Sequence, residues 1–278
     1  MDYSQVCIAN LMQQLGNHTN TQLEEPMLRH MILNSIRAFN VKFKDEFGEM
    51  IIACDSTHHW RKQIFPYYKA NRKRAIEKSE LDWKMIFDSL TRIREELKAF
   101  SPYKVLDVET AEADDIIATL VQTTFLQKIL ILSSDKDFIQ LHTHSNVSQY
   151  DPVRKKWITN PDPRKYLKEH ILNGDKGDGV PNVLSADNCL VIGERQKSMT
   201  KKRLDELMSR EPTEYIENIK RNYSRNEQLI DLGKIPDHIK IQVDLQFSNQ
   251  MTKDSSGFFS YLAKNKLNKL LESMNDFY

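Results

Sequence analysis

Carboxylates crowd two neighbouring stretches of this chain. The run ILILSSDKDFIQL, Ile129 to Leu141, opens with an apolar, partly β-branched segment of the kind that forms a strand buried on both faces, and it stops abruptly at Ser133, Ser134, Asp135 and Asp137. Shortly ahead of it, AEADDIIATL puts Glu112, Asp114 and Asp115 at the opening of a helix, since Ile116, Ile117, Leu120 and Val121 follow at helical spacing. A helix that crosses over to that strand brings these acids to one edge of a sheet. Carboxylates so placed repel one another and raise each other's pKa, so the arrangement is costly unless cations neutralise it. Hard divalent metals do so with oxygen ligands alone. Taken singly, acids in a first helical turn complement the macrodipole, and Asp-Lys-Asp caps a following helix. Their convergence favours metal chemistry.

The same strand-then-acid pattern recurs. Met50 to Cys54 reads as a second buried strand and ends on Asp55, while Asp2 precedes a helical pattern through Ile8, Leu11, Met12 and Leu15. A second helix follows Glu24-Glu25-Pro26, where proline suits the first turn, and carries Leu28, Ile32, Ile36, Phe39, Phe43 and Phe47 at intervals of three and four. From Asp82 the helical period resumes through Trp83, Ile86, Leu90, Ile93 and Leu97, and Tyr103 to Val108 is strand-like. Alternating strands and helices predict an α/β fold with a mainly parallel central sheet flanked by helices. Its ligand site lies at the carboxyl ends of the strands. Val147 to Tyr150 and Lys156 to Thr159 read as a small hairpin, and helix signals dominate beyond it.

Two segments carry phosphate-attracting groups. HHWRKQIFPYYKANRKR, from His58 to Arg74, holds Arg61, Lys62, Lys69, Arg72, Lys73 and Arg74 without an acid, interleaved with Trp60, Phe65, Tyr67 and Tyr68. Cations there would neutralise phosphates and the rings would stack on bases or pack beneath the cations. Further on, Asp175 and Asp178 stand between Gly174, Gly177 and Gly179, where the backbone can turn tightly and present N–H groups. GERQKSMTKKR then supplies Arg195, Lys197, Ser198, Thr200, Lys201 and Lys202 at a helix start, a seat for phosphate.

The chain of 278 residues carries 40 basic and 39 acidic side chains, so its net charge of +1 names no partner and segregation of charge along the sequence carries the information. Cys7, Cys54 and Cys189 are odd in number and form no CxxC pair, which fits packing residues in a reducing compartment. No apolar run has the length of a membrane span and nothing at the amino terminus resembles a signal peptide, so a cytoplasmic location is expected.

Asp2 in MDYSQ, Asp55, the EADD of 112–115, SSDKDFIQL and GDKGDGVP, as an ordered set, resemble the five-prime nuclease superfamily of flap endonucleases and polymerase-associated five-prime nucleases. WRKQIFPYYKANR, IGERQKSMTKKRLDELM and LIDLGKIPDHI make the chain look most like the phage ribonuclease H type of the T-even group. The resemblance implies a magnesium-dependent two-metal nuclease, with manganese able to substitute. It would cut RNA/DNA hybrid and flap or nicked duplex DNA, remove RNA primers and adjacent DNA from lagging-strand fragments, and leave five-prime phosphates. On this analogy Asp2, Asp55, Glu112, Asp114 and Asp135 hold one metal, Asp137, Asp175 and Asp178 surround the other, and Asp115 supports them from behind. Residues 58–80 match an arch whose Arg61, Lys69 and Arg72 bind the reacting or neighbouring phosphate, with Lys62, Tyr68, Lys73 and Arg74 on the nucleic acid. Residues 164–210 match a helix-three-turn-helix region gripping the duplex backbone through Gly174, Gly177, Gly179 and the basic turn. The implied division is a nuclease core over 1–160 and a mainly helical DNA-binding region over 161–278, in a monomer. Single-strand-binding protein and the sliding clamp are the replication partners implied, and the host cell's cytoplasm is the location if the protein is phage-encoded.

One feature of relatives is reduced here. Their first aspartate closes a central strand, yet only Met1 precedes Asp2, which predicts a frayed, loosely held Asp2 and a natural start upstream. The alternative reading that follows is a catalytically impaired relative that binds branched DNA without cutting it. A PIN-type ribonuclease is a further alternative, against which the length, the basic arch and the glycine-flanked acids all speak. The apolar tail from Gly257 is expected to pack against the body rather than to serve as a docking helix.

Overall fold

Asp2 caps α1 (Tyr3–Leu15), its Oδ1 accepting from the Gln5 amide at 3.1 Å. The computed structural model describes residues 1–16, 23–124, 126–251 and 255–278, the side chains of 74 and 75 excepted. Helix α2 (Glu25–Phe47) has proline in its first turn, where the missing N–H is no loss, and turns Leu28, Ile32, Ile36 and Phe43 inward. Strand β1 (Ile51–Ala53) follows, and the basic segment then folds as α3 (Arg61–Ile64) and α4 (Ala70–Glu77). Helix α5 (Trp83–Phe100), capped by Asp82, leads to β2 (Lys104–Leu106), which pairs in parallel with β1. Next come α6 (Ala113–Thr123) and β3 (Ile129–Leu132), then a 3-10 segment over Lys136–Thr143. Strand β4 (Val147–Asp151) lies parallel to β3, and β5 (Lys156–Ile158) closes the expected hairpin against β4. Helices complete the chain: α7 (Pro163–Asn173), α8 (Cys189–Ile192), α9 (Lys201–Met208), α10 (Glu217–Ile230), α11 (Asp237–Asn249), α12 (Ser255–Lys264) and α13 (Asn268–Glu272). Among the described residues no helix is long and apolar enough to cross a membrane.

Side chains on a strand alternate between faces, and the burial follows that rule. Ile52, Val105 and Leu132 pack on α1, α2 and α5, whereas Ala53, Leu106 and Ile131 pack on α6 and α11. The sheet is therefore covered on both sides, as a parallel sheet requires. A third apolar cluster unites α7, α9 and α10 with Phe65 and Tyr68 at the base of the basic segment.

The expectation of a frayed Asp2 is not met. Met1 and Asp2 are buried between β1 and β3: the Met1 ammonium donates to Ile51 O at 2.8 Å, Ala53 N donates to Met1 O at 2.9 Å, and Asp2 N donates to Leu132 O at 3.2 Å. These two residues act as the last rung of a strand and tie the β1–β2 pair to β3–β4–β5. Behind them a groove of about 620 Å³ runs between the two strand edges, walled by Ile51, Leu130, Ile117, Val121, Phe43 and Phe47.

The tail packs on the body, as expected. Phe258, Tyr261, Leu262, Leu270 and Phe277 lie in the same apolar cluster as α1 and α2, so the last helices complete the core that the first helices begin.

Candidate metal centre and nucleic-acid interface

Five segments of the chain deliver carboxylates to the carboxyl edge of the sheet. Asp2 follows the Met1 rung, Asp55 follows β1, Asp114 opens α6, Asp135 and Asp137 follow β3, and Asp175 and Asp178 lie in the turn after α7. Local bonds hold the first of these rigidly. Asp2 Oδ2 accepts from Ser133 Oγ at 3.1 Å and Asp55 Oδ1 accepts from Ala113 N at 2.9 Å. Asp135 Oδ1 accepts from Asp137 N at 2.9 Å, and Asp175 Oδ1 accepts from Asp178 N at 3.0 Å.

Their protonation reports how close they stand. Burial, then Asp55 and Asp135, raise the Asp2 carboxyl to about 7. Asp137 is raised to about 8 by burial and by Asp135, with Asp175 and Asp178 adding and the His170 imidazole opposing. Asp114 is pushed well up by burial, Asp135 and Asp2, and Asp135 is raised by burial with Asp178 and Asp175 adding. Carboxylates raised by their own neighbours form a cluster that binds a proton or a cation. Oxygen donors in this number fit hard divalent ions, and near Asp137 and Asp175 an imidazole joins them.

Glu112, expected among the ligands of one metal, is withdrawn from that set, because both of its oxygens are engaged by the arch. Its Oε2 accepts from Arg61 Nη1 at 2.8 Å and lies 3.0 Å from Tyr68 OH, and its Oε1 accepts from Lys69 Nζ. Burial alone would raise this carboxyl, but Lys69, Arg61 and His59 outweigh it and hold it at about 2. Asp115 sits beside it, fully buried, and accepts from Trp60 Nε1 at 2.9 Å and from both Arg61 nitrogens at 2.8 and 3.0 Å. The same Asp115 carboxylate accepts from Glu112 N and completes a capping box at the start of α6.

Two expectations for the basic segment are corrected here. Arg61 is 2 % exposed and donates to Glu112, Asp115 and Leu229 O, so its guanidinium anchors the arch to α6 and does not reach a phosphate. Tyr68 is likewise buried, its hydroxyl donating to Asp178 Oδ2 at 2.7 Å, and offers no face to a base. The physical reason is shared: a buried carboxylate pair at the opening of α6 demands a buried cation and donors. Lys69 and Arg72 do stand at the edge of the acid cluster. Lys69 Nζ is 3.7 Å from Asp178 Oδ2, and Arg72 Nη2 reaches Asp178 Oδ1 at 2.5 Å while its side chain stays half exposed. Lys62 and Lys73 are exposed, and the Arg74 side chain lies outside the described residues.

The glycines after α7 have a steric explanation. Gly174 has φ +67, and a Cβ there would fall 2.4 Å from Val180 O; Gly179 has φ +74, and its Cβ would fall 3.0 Å from Tyr67 O. They let the turn double back under the arch, where Lys69 N donates to Asp178 O at 2.7 Å. Beyond α8, Arg195, Lys197, Ser198, Thr200, Lys201 and Lys202 are all exposed, and Thr200 caps α9 by accepting from Arg203 N. The loop that presents them is pinned by Asn182, which donates to Lys197 O at 2.8 Å.

Sequence reasoning passed over His170 and His59. His170 Nε2 lies 3.3 Å from Asp137 Oδ1 and 3.4 Å from Asp175 Oδ2, and His59 Nδ1 lies 3.7 Å from Glu112 Oε1. The available signal was the place of His170 in the last turn of a helix that runs straight into the Gly-Asp turn.

Comparison with known proteins bears on this site. A family model described as "5'-3' exonuclease, N-terminal resolvase-like domain" matches residues 8–170, and one described as "T4 RNase H, C terminal" matches residues 164–277. The ribonuclease H of Enterobacteria phage T4 is 35% identical over 291 residues, covering 100% of this chain and 94% of that protein. The flap endonuclease Xni of Shewanella sp. (strain MR-4) is 31% identical over 134 residues, 45% of this chain and 48% of that protein. Among solved structures, a complex of the bacteriophage T5 D15 flap endonuclease with DNA and metal ions aligns with TM-score 0.61 at 16% identity, covering 86% of this chain and 95% of that one. The T5 5'-exonuclease with zinc bound aligns with TM-score 0.61 at 14% identity over 89% and 97%. Two adjoining family models that together span the chain, a relative alike from end to end, and a shared fold around the acid cluster make this chain a member of the 5'-3' exonuclease family of nucleases.

Proposed function

We propose that the chain is a magnesium-dependent five-prime to three-prime exonuclease and flap endonuclease with ribonuclease H activity, which removes RNA primers and adjacent DNA from lagging-strand fragments. The observation that carries this reading is the cluster of Asp2, Asp55, Asp114, Asp135, Asp137, Asp175 and Asp178 beside Lys69 and Arg72. Two divalent cations, if held by these carboxylates, would supply a water of lowered pKa and charge to offset that of the reacting phosphate, and the product would carry a five-prime phosphate. Asp2, Asp55, Asp114 and Asp135 hold one cation; Asp137, Asp175 and Asp178 hold the other. Glu112 aims Lys69 at the phosphate, and Arg72 meets it from the exposed side of the arch. Residues 1–160 supply the catalytic edge, and residues 161–278 grip the duplex, with α7, α8 and α9 forming a helix-three-turn-helix whose basic turn holds the backbone. The protein acts as a monomer in the cytoplasm of the host, beside single-strand-binding protein and the sliding clamp.

The rigid seat of Asp2 removes the premise of an impaired, binding-only relative. Cleavage of an RNA-primed nick and of a five-prime flap in magnesium tests the proposal. Asp135→Asn is expected to abolish cleavage and leave binding to forked DNA largely intact, because it removes a cation ligand and no phosphate contact. Undiminished turnover by that variant would take Asp135 out of the catalytic set.

A further inference from the structure

His170 stands at the acid cluster without a place in the reading above. It occupies the last turn of α7, its ring lies nearly parallel to Tyr166 one turn earlier (centroids 5.8 Å apart, planes at 21°), and Gly174 N donates to its carbonyl at 2.8 Å. The backbone and the ring plane are thus both fixed. Its Nε2 is closed off from solvent and makes no well-formed hydrogen bond, yet it points between Asp137 Oδ1 at 3.3 Å and Asp175 Oδ2 at 3.4 Å. One donor atom from each of the three residues falls within 4.8 Å of the others. Ligands of a common cation with bonds of about 2.1 Å lie roughly 3 Å apart when they meet at a right angle. Three side chains from α7, from the turn after it and from the segment after β3 are already near that spacing.

Resting on the two-cation reading, we propose that His170 is a nitrogen ligand of the cation held by Asp137 and Asp175, and that it makes this position prefer a first-row transition ion such as Mn²⁺ over Mg²⁺. An imidazole nitrogen binds borderline ions well and Mg²⁺ poorly, while carboxylate oxygens accept either. The cation among Asp2, Asp55, Asp114 and Asp135 has oxygen donors alone, so the two positions differ in taste. The enzyme would then carry one magnesium-type and one manganese-type position.

The test uses the full chain and Mn²⁺ itself as the probe. Electron spin echo spectra of the Mn²⁺-loaded protein are expected to carry an imidazole-nitrogen coupling that His170→Gln and His170→Ala lack. In competition titrations the preference for Mn²⁺ over Mg²⁺ at one position should fall on the order of ten- to a hundredfold in both variants, the scale on which changes to a metal site act. Mg²⁺ binding at the all-oxygen position stays as in the parent and reports that the variants are folded. Absence of the nitrogen coupling in the parent, or an unchanged preference in the variants, overturns the assignment and leaves His170 a charge partner of Asp137 and Asp175. Failure of the parent to bind either ion overturns the two-cation reading as well.

Discussion

At the scale of single residues, the acid cluster exchanges protons for cations. Asp2 at about 7 and Asp137 at about 8 hold protons well above the ordinary carboxylate value of about 3.9. From about 3.9 up to those values the folded chain binds more protons at these groups than the unfolded chain, so their contribution to stability falls as pH rises over that interval and levels off above 7 to 8. A cation must displace the same protons, and its affinity therefore rises over that range. Calorimetric titration with Mg²⁺ in buffers of different ionisation enthalpy should find more protons released at pH 6 than at pH 9. Equal release at both would mean that the cluster is already ionised. Arg61 and Lys69 should separate in the same spirit. Arg61→Ala leaves the buried Asp115 without its cation and Glu112 with Lys69 alone, and is expected to destabilise the fold by about 3–5 kcal/mol, read as a lowered melting temperature. Lys69→Ala and Arg72→Ala should slow cleavage more than they weaken duplex binding, since both stand beside Asp178 at the reacting edge. Equal losses of rate and binding would make them general electrostatic anchors.

At the scale of elements, the sheet is joined by two residues where a strand would fit. Among the described residues, β1 and β3 are bridged by Met1 and Asp2, and the groove behind them is lined by apolar side chains from α2, α6 and both strands. Backbone groups along that groove gain partners when an extended segment lies between the strands, and each apolar side chain buried there adds roughly 1.5–3 kcal/mol. A version extended ahead of Met1 by about ten residues ending in a Val/Ile/Leu-rich strand is expected to melt at a higher temperature and to bind magnesium more tightly. Indistinguishable melts and magnesium titrations of the two versions would show that the Met1 rung suffices.

At the scale of the whole molecule, the beginning and the end of the chain share one core. Phe258, Tyr261, Leu262, Leu270 and Phe277 pack with Leu11, Leu28, Ile32 and Ile36, far away in sequence. Burial of several such side chains matches the whole net stability of a domain, typically about 5–15 kcal/mol. Removal of residues 255–278 is therefore expected to abolish the cooperative melt of the α/β part as well. A truncated chain that keeps a sharp transition would mean that the tail merely decorates a core complete without it. The glycine turn and the arch are joined in a comparable way, because Lys69 N, Asn71 and Arg72 all donate to the 176–178 backbone or to Asp178.

The strand-then-acid pattern was legible in the sequence because ILIL before Asp135 and the apolar run before Asp55 are short, β-branched and sharply ended, as strands covered on both faces are, and a strand's end is where polar groups return. Helix starts were legible for a similar local reason, as Asp82, Thr200 and the EADD run carry their own caps. Direction and pairing of side chains were not local. Arg61 and Lys69 are the same kind of residue in the sequence, and only the docking of α3 against α6 decides that one is buried between Glu112 and Asp115 while the other reaches the cluster's edge. His170 shows nothing in its own neighbourhood beyond a helix end; it becomes a partner of Asp137 because α7 packs against the segment after β3. The seat of Asp2 was also a tertiary matter, since hydrogen bonds from β1 and β3, strands distant in sequence, hold a two-residue rung that no local propensity could hold alone.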